Sequence, residues 1–163
     1  MNFKKIFCWP PLLAGIGAAI TIGILGYITY QSILSDTNYG LWLFVSFGST
    51  VVIVFGYPNN EFAQPKNIFF GHLLTAFVGV VFLTFFEVNF ITIAIAVGVS
   101  IMLMIAFKIT HPPAGGNPIA VMLGGVSFQF LIFPVMVGAI TIIIGGIIYN
   151  NLILKKKYPI SWK

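Results

Sequence analysis

The chain has 163 residues, 59% of them hydrophobic and 7% charged, with a mean hydropathy of +1.04. That balance is the composition of an integral membrane protein and excludes a separate soluble domain, because no polar stretch is long enough to fold by itself. The net charge of +5 comes from eight lysines against Asp36, Glu61 and Glu87, all at loop positions, so it reads as membrane topology and not as a nucleic-acid partner.

The whole chain, 1–163, is read as one domain, since spans of about 20 residues leave room for roughly six short crossings and little else. Residues 12–34 predict the first helix, started by Pro10 and Pro11 and carrying Ala14, Ala18 and Ala19 for close packing. This run is too long for the apolar part of a signal peptide, so it is expected to be retained. Residues 35–40 predict a polar loop, and 41–57 a second apolar element interrupted at Gly48-Ser49-Thr50. A loop over 58–66 leads to spans over 68–86 and 90–107, a broken element over 110–127, and a last span over 130–154. The fold class is therefore all-α membrane protein, with about six transmembrane elements, two of them interrupted half-helices. Cys8 is the single cysteine, so no intrachain disulfide is possible.

The chain is organised around 109–125, where His111, three prolines (112, 113 and 118) and the Gly115-Gly116 pair sit between apolar runs. Pro112 and Pro113 lack N–H groups, and Pro113 pushes its predecessor out of the helical region. Pro118 then suits the first turn of a new helix, with Asn117 or Gly116 as its cap. Non-helical backbone at membrane depth is tolerated only where protein buries it or it lines a cavity, which marks the stretch as functional.

With Lys4 and Lys5 in the cytoplasm and six crossings, Lys66, Lys108 and Lys155–Lys157 all fall inside, and Asp36 and Glu87 outside. Trp9, Tyr57, Tyr149 and Tyr158 are expected in an inner aromatic belt, with Tyr39 and Trp42 in the outer one. A four-span arrangement strains this charge pattern. Helix, interrupted element, helix recurs over 12–86 and 90–154, which suggests a 3+3 inverted repeat with two short helices meeting N-terminus to N-terminus at mid-depth.

Thr110-His111-Pro112-Pro113-Ala114-Gly115-Gly116-Asn117-Pro118 resembles the signature of the HPP family of small integral membrane proteins. Phe47-Gly48-Ser49-Thr50, Ala63-Gln64-Pro65-Lys66-Asn67 and Gly71-His72 resemble it further, in matching order. Family descriptions usually count four spans, against six elements here. Plant and cyanobacterial relatives are linked to nitrite transport, so the resemblance implies nitrite as a candidate substrate. Without a plant-type transit extension, this chain resembles the bacterial form and is expected in the inner (plasma) membrane with both termini cytoplasmic.

The 115–117 turn is the candidate anion site: unpaired N–H groups at a helix start, aided by the helix dipole, bind small anions. Its alternative is a packing kink. Ser49 and Thr50 either donate hydroxyls from the facing element or bond back to their own helix. His111 and His72 are the candidates for carrying a proton with the anion. Their alternatives are a neutral histidine satisfying proline-freed backbone and an interfacial residue, respectively. Gln64 and Asn67 read as caps of the third span. The binding set is thus His111, Gly115, Gly116, Asn117, Ser49 and Thr50.

A metal site needs three or four ligands, and the few candidates lie on opposite sides, so neither metal nor cofactor is expected. No serine–histidine–acid pattern has an acid at depth, so the chain reads as no enzyme. The expected function is passage of a small inorganic anion between interrupted helices. A neutral-solute channel and a non-transporting structural subunit are the alternatives. The expected partners are the anion, the lipid bilayer and further copies in a homo-oligomer.

Overall fold

The computed structural model describes residues 9–33 and 41–162, with side chains described for 11–29 and 45–162. Lys4, Lys5, Cys8, Asp36 and Tyr39 lie outside the described residues, as do the side chains of Trp9 and Trp42. Proline at the start fixes a helical φ, and helix α1 runs Trp9–Ile33. Helix α2 follows over Leu41–Gly56. A tight 3₁₀ turn, Glu61–Ala63, leads into α3, Pro65–Phe85, again with proline in the first turn. Helix α4, Phe90–Ala106, begins on a reciprocal cap in which Asn89 Oδ1 accepts the Ile91 and Thr92 N–H groups and the Thr92 hydroxyl accepts from Asn89 N–H.

A second 3₁₀ turn, Pro112–Gly116, opens directly into α5, Asn117–Gly124. Gly125, at φ 61°, closes α5 in the left-handed conformation that glycine adopts without penalty. The last element, α6, spans Leu131–Ile153, with π-type turns at either end of a regular stretch over Val137–Ile147. Phe133 leaves helical geometry (φ −129°, ψ 120°) immediately before Pro134.

The described residues are thus all-helical. Three helices among them, α1, α3 and α6, are long and apolar enough to cross a membrane, while α2 and α4 are shorter at 16 and 17 residues. Their outward faces carry Ile95, Ile105 and Leu152, all exposed, as a lipid-facing surface does. Inside, small residues let the helices close. A β-carbon added to Gly145 would overlap Thr21 of α1, and one added to Gly138 would overlap the Phe47 ring of α2.

Two expectations about the elements are corrected. Helix α2 runs unbroken through Gly48-Ser49-Thr50. The Ser49 hydroxyl donates to the Val45 carbonyl and the Thr50 hydroxyl lies 3.0 Å from the Ser46 carbonyl, each one turn back, which leaves the backbone ladder intact. One mid-helix glycine costs only about 1 kcal/mol, less than exposing backbone groups to lipid. The second irregular element is instead α6 at Pro134, so two half-helices do not meet end to end. The N-terminus of α5 faces the side of a continuous α2.

The expected inner aromatic belt is corrected too. Tyr57 is exposed, but Tyr149 and Tyr158 are core residues, and the Tyr158 hydroxyl donates to the Ala63 carbonyl at 2.6 Å. Gln64 holds the N-cap position of α3, as expected, but neither its side chain nor that of Asn67 makes a capping bond. Gln64 Nε2 donates to the Pro58 and Asn60 carbonyls, its Oε1 accepts from Ile160 N–H, and Asn67 Nδ2 donates to the Thr110 carbonyl. A side-chain amide reaches farther than a cap needs, and here that reach ties three loops together.

These bonds bring the α2–α3 loop, the segment after α4 and the C-terminal segment to one end of the bundle. Lys66, Lys108 and Lys155–Lys157 therefore share an end, while exposed Glu87 sits beyond the far end of α3, about 31 Å away for 21 residues. In a variant without Cys8, an impermeant maleimide should label Lys66→Cys, Lys108→Cys and Lys156→Cys from one side and Glu87→Cys from the other. Labelling of position 87 from the same side as 66 would show the helix order to be wrong.

Candidate functional site

Along α3, Gly71, Thr75 and Gly79 recur every fourth residue and so line one face. The 3₁₀ turn and α5 lie against that face. A β-carbon on Gly71 would come within 2.8 Å of His111 Cβ, and one on Gly79 within 3.0 Å of Pro118 Cα. Thr75 is midway along α3 and its hydroxyl accepts from Asn117 Nδ2 at 2.9 Å, so α5 begins at half-depth. Eight residues give α5 a length of about 12 Å, too short to cross alone.

Where α5 begins, five polar side chains meet in the apolar interior: Thr50, His72, Thr75, His111 and Asn117, all fully buried. Thr50 Oγ1 is 2.9 Å from His72 Nε2, 3.0 Å from His111 Nε2 and 3.0 Å from the Ser46 carbonyl. The two imidazole centroids are 5.0 Å apart, and the Phe47 ring lies 4.9 Å from that of His72.

The partners fix the tautomers. His111 Nδ1 lies 2.7 Å from the Phe62 carbonyl, which only accepts, so Nδ1 carries the proton and Nε2 the lone pair. Asn117 Nδ2 donates to the His72 carbonyl at 3.1 Å, which sets the amide orientation, and the same nitrogen is 3.0 Å from His72 Nδ1. His72 Nδ1 therefore accepts and Nε2 carries the proton. The result is one directed chain: Asn117 N–H to His72, His72 N–H to Thr50, Thr50 O–H to His111, His111 N–H to the Phe62 carbonyl.

Of the expected binding residues, the structure gathers Thr50, His111, Asn117 and also His72, and it leaves others apart. Ser49 is exposed and bonded back to Val45, about 100° around α2 from Thr50. Around a β-carbon on Gly115 there would be open space, and one on Gly116 would stand 3.5 Å from Ser46 Oγ, so Gly116 faces α2 across ordinary contact. The turn's N–H groups are partly taken: Ala114 N–H bonds to the His111 carbonyl and Asn117 N–H to the Ala114 carbonyl. A 3₁₀ turn feeding straight into a helix supplies carbonyls to that helix's first donors. Asn117 does not cap α5; its side chain turns to α3. Nor is His72 interfacial. Helix α3 starts at Pro65, which places His72 two turns in and in full contact with Thr50.

The sequence reading missed Ser46, Thr75 and the Phe62 carbonyl. Thr75 was signalled by the Gly71–Thr75–Gly79 spacing, the small-residue pattern of close helix packing. A backbone carbonyl carries no sequence signal. Among the described residues, no three of histidine, cysteine, aspartate and glutamate come together as metal ligands would.

The site is built from the matching stretches of α2, α3 and the segment around Pro112-Pro113, and the family description "HPP, transmembrane region" matches residues 7–159. The chain belongs to the HPP transmembrane family. Two transmembrane proteins of Dictyostelium discoideum are similar to it. One is 36% identical over 125 residues, covering 72% of this chain and 44% of that protein. The other is 31% identical over 155 residues, covering 90% of this chain and 49% of that protein. The chain thus spans about half the length of the curated relatives it matches. No solved structure matches it. In HPP terms, the signature histidine, His111, is what the diproline presents to α2, and the signature asparagine, Asn117, is what α5 presents to α3.

Proposed function

We propose that this HPP protein is a transporter and not a catalyst, that it passes a small monovalent inorganic anion, and that nitrite is the first candidate. The observation that carries the proposal is the uncharged polar cluster at half-depth, where α5 begins beside Thr50, His72 and His111. A short helix starting inside the membrane points its positive dipole end at that cluster. The absence of arginine from the chain and of any buried carboxylate among the described residues supports weak, reversible anion binding. A buried fixed cation would hold the anion too tightly to release it. The same reading puts the lysine-bearing end in the cytoplasm of a bacterial inner membrane, and the protein in a homo-oligomer.

Purified protein in liposomes, supplied with nitrite, nitrate, formate and chloride in turn, tests this. Nitrite should enter faster than into protein-free liposomes, and Gly116→Leu, which fills the space toward Ser46, should reduce entry to background while still inserting. Normal nitrite flux through a well-inserted Gly116→Leu would mean the anion does not pass the turn. A second reading, a non-transporting membrane subunit, is favoured by one observation: all four imidazole nitrogens already have partners. Absence of flux for all four anions would select it.

A further inference from the structure

We propose that the Thr50 hydroxyl is a proton relay, so that His72, Thr50 and His111 form a directed proton path from half-depth to the lysine-bearing end. The inference rests on the transport reading and adds to it the route by which a proton accompanies the anion. Three features carry it. The three links are short, at 2.9, 3.0 and 2.7 Å, and the tautomers deduced from the Phe62 carbonyl and the Asn117 amide give each the same donor direction. All three side chains are fully buried, so no bulk water short-circuits the path. The Thr50 hydroxyl also has a second acceptor, the Ser46 carbonyl at 3.0 Å, to which it can turn when His111 Nε2 is protonated. A hydroxyl that accepts from one ring and donates to another is the chemistry a relay requires; two imidazoles facing a carbonyl could not pass a proton.

The transfer balances. Asn117 Nδ2 releases His72 Nδ1, which takes a proton from a protonated water that arrives with the anion at half-depth. The Nε2 proton of His72 passes to Thr50 Oγ1, the Thr50 proton passes to His111 Nε2, and the Nδ1 proton of His111 passes to water at the lysine-bearing end, beside the Phe62 carbonyl. One proton has moved and both rings have changed tautomer. The next passage waits until the rings return, so the device reciprocates with a bound solute and does not leak continuously. The two histidines are the titratable side chains bonded to Thr50. Tyr158, which packs one turn along α2 near Val54, bonds to the Ala63 carbonyl instead. Glu61 and Lys108, near the outlet, are exposed, and Lys66 is half-buried.

Proton and nitrite movements are to be measured together in liposomes holding a pH dye, under an imposed proton gradient with the membrane potential clamped. In the parent, the gradient should accelerate nitrite entry and protons should enter with it. Thr50→Val keeps the shape and removes the hydroxyl. It should lose the gradient's effect on nitrite entry and lower the ratio of protons to nitrite entering roughly 100-fold, the low end of what a positioned proton-transfer group contributes. Thr50→Ser should restore both. Gradient-driven entry through Thr50→Val, or nitrite entry without protons in the parent, overturns the relay and leaves the anion reading standing. If the parent moves none of nitrite, nitrate, formate and chloride, the anion reading fails and the relay is judged on the parent's ¹⁵N-histidine spectrum in bilayers. The spectrum should show His72 protonated on Nε2 and His111 on Nδ1; the opposite tautomer on either ring overturns the relay.

Discussion

Gly79→Leu should prevent the HPP element from seating on α3, leaving a protein that inserts but does not survive detergent extraction as a compact species. The backbone of α5 comes so close that even a β-carbon at 79 would lie 2.9 Å from Val121 Cβ and 3.0 Å from Pro118 Cα. Neither neighbour can swing away: Val121 is fully buried, and Pro118 is held by its own ring in the first turn of α5. Gly79→Ala is the graded form, with an expected loss of about 1–3 kcal/mol, the ordinary cost of overpacking a filled interior. Gly98→Ala on α4 is the control. Its β-carbon meets nothing within 4 Å, so the change should be neutral or stabilising by up to about 1 kcal/mol through helix propensity. Apparent melting in detergent ranks the three. If Gly79→Ala melts with the parent, close packing along this seam is not what holds the short helix in place.

Asn117→Leu should be nearly as damaging, for a different reason. The two hydrogens of the asparagine amide are shared among three acceptors, the His72 carbonyl, His72 Nδ1 and Thr75 Oγ1, at 3.1, 3.0 and 2.9 Å. Leucine has similar bulk and no donor. His72 Nδ1 is then a buried acceptor with no partner, worth about 1–3 kcal/mol, and the lost bond to Thr75 adds about 0.5–1.5 kcal/mol. The loss reaches beyond stability, because the amide is what keeps the His72 proton on Nε2. Ser49→Ala, which removes only an exposed hydroxyl bonded to its own helix, should leave the melting temperature unchanged. If Ser49→Ala lowers it as much as Asn117→Leu does, the placing of Ser49 outside the buried cluster is wrong.

An all-helical membrane protein, the run of its elements and the special stretch around His111 are legible from the amino-acid sequence. Each of these follows from local chemistry: run length against bilayer thickness, proline's fixed φ and missing donor, and lysines gathered at span ends. The sequence also picked out Thr50, His72, His111 and Asn117 as single residues. Which of them belong together follows from the packing of the helices. Thr50 and Ser49 are neighbours in sequence, yet 100° of helical rotation per residue sends one hydroxyl into the core and the other outward. Whether Gly48-Ser49-Thr50 breaks a helix was likewise undecidable locally, since the same hydroxyls that could open the ladder instead bond one turn back within it. The Gly71–Thr75–Gly79 seam was readable as spacing, but what it receives was not, because a small residue specifies closeness and not a partner. The direction of the hydrogen-bonded chain was the least legible feature. It is set by two backbone carbonyls, those of Phe62 and His72, and every residue type carries a carbonyl; only the folded positions of these two give the histidines their tautomers.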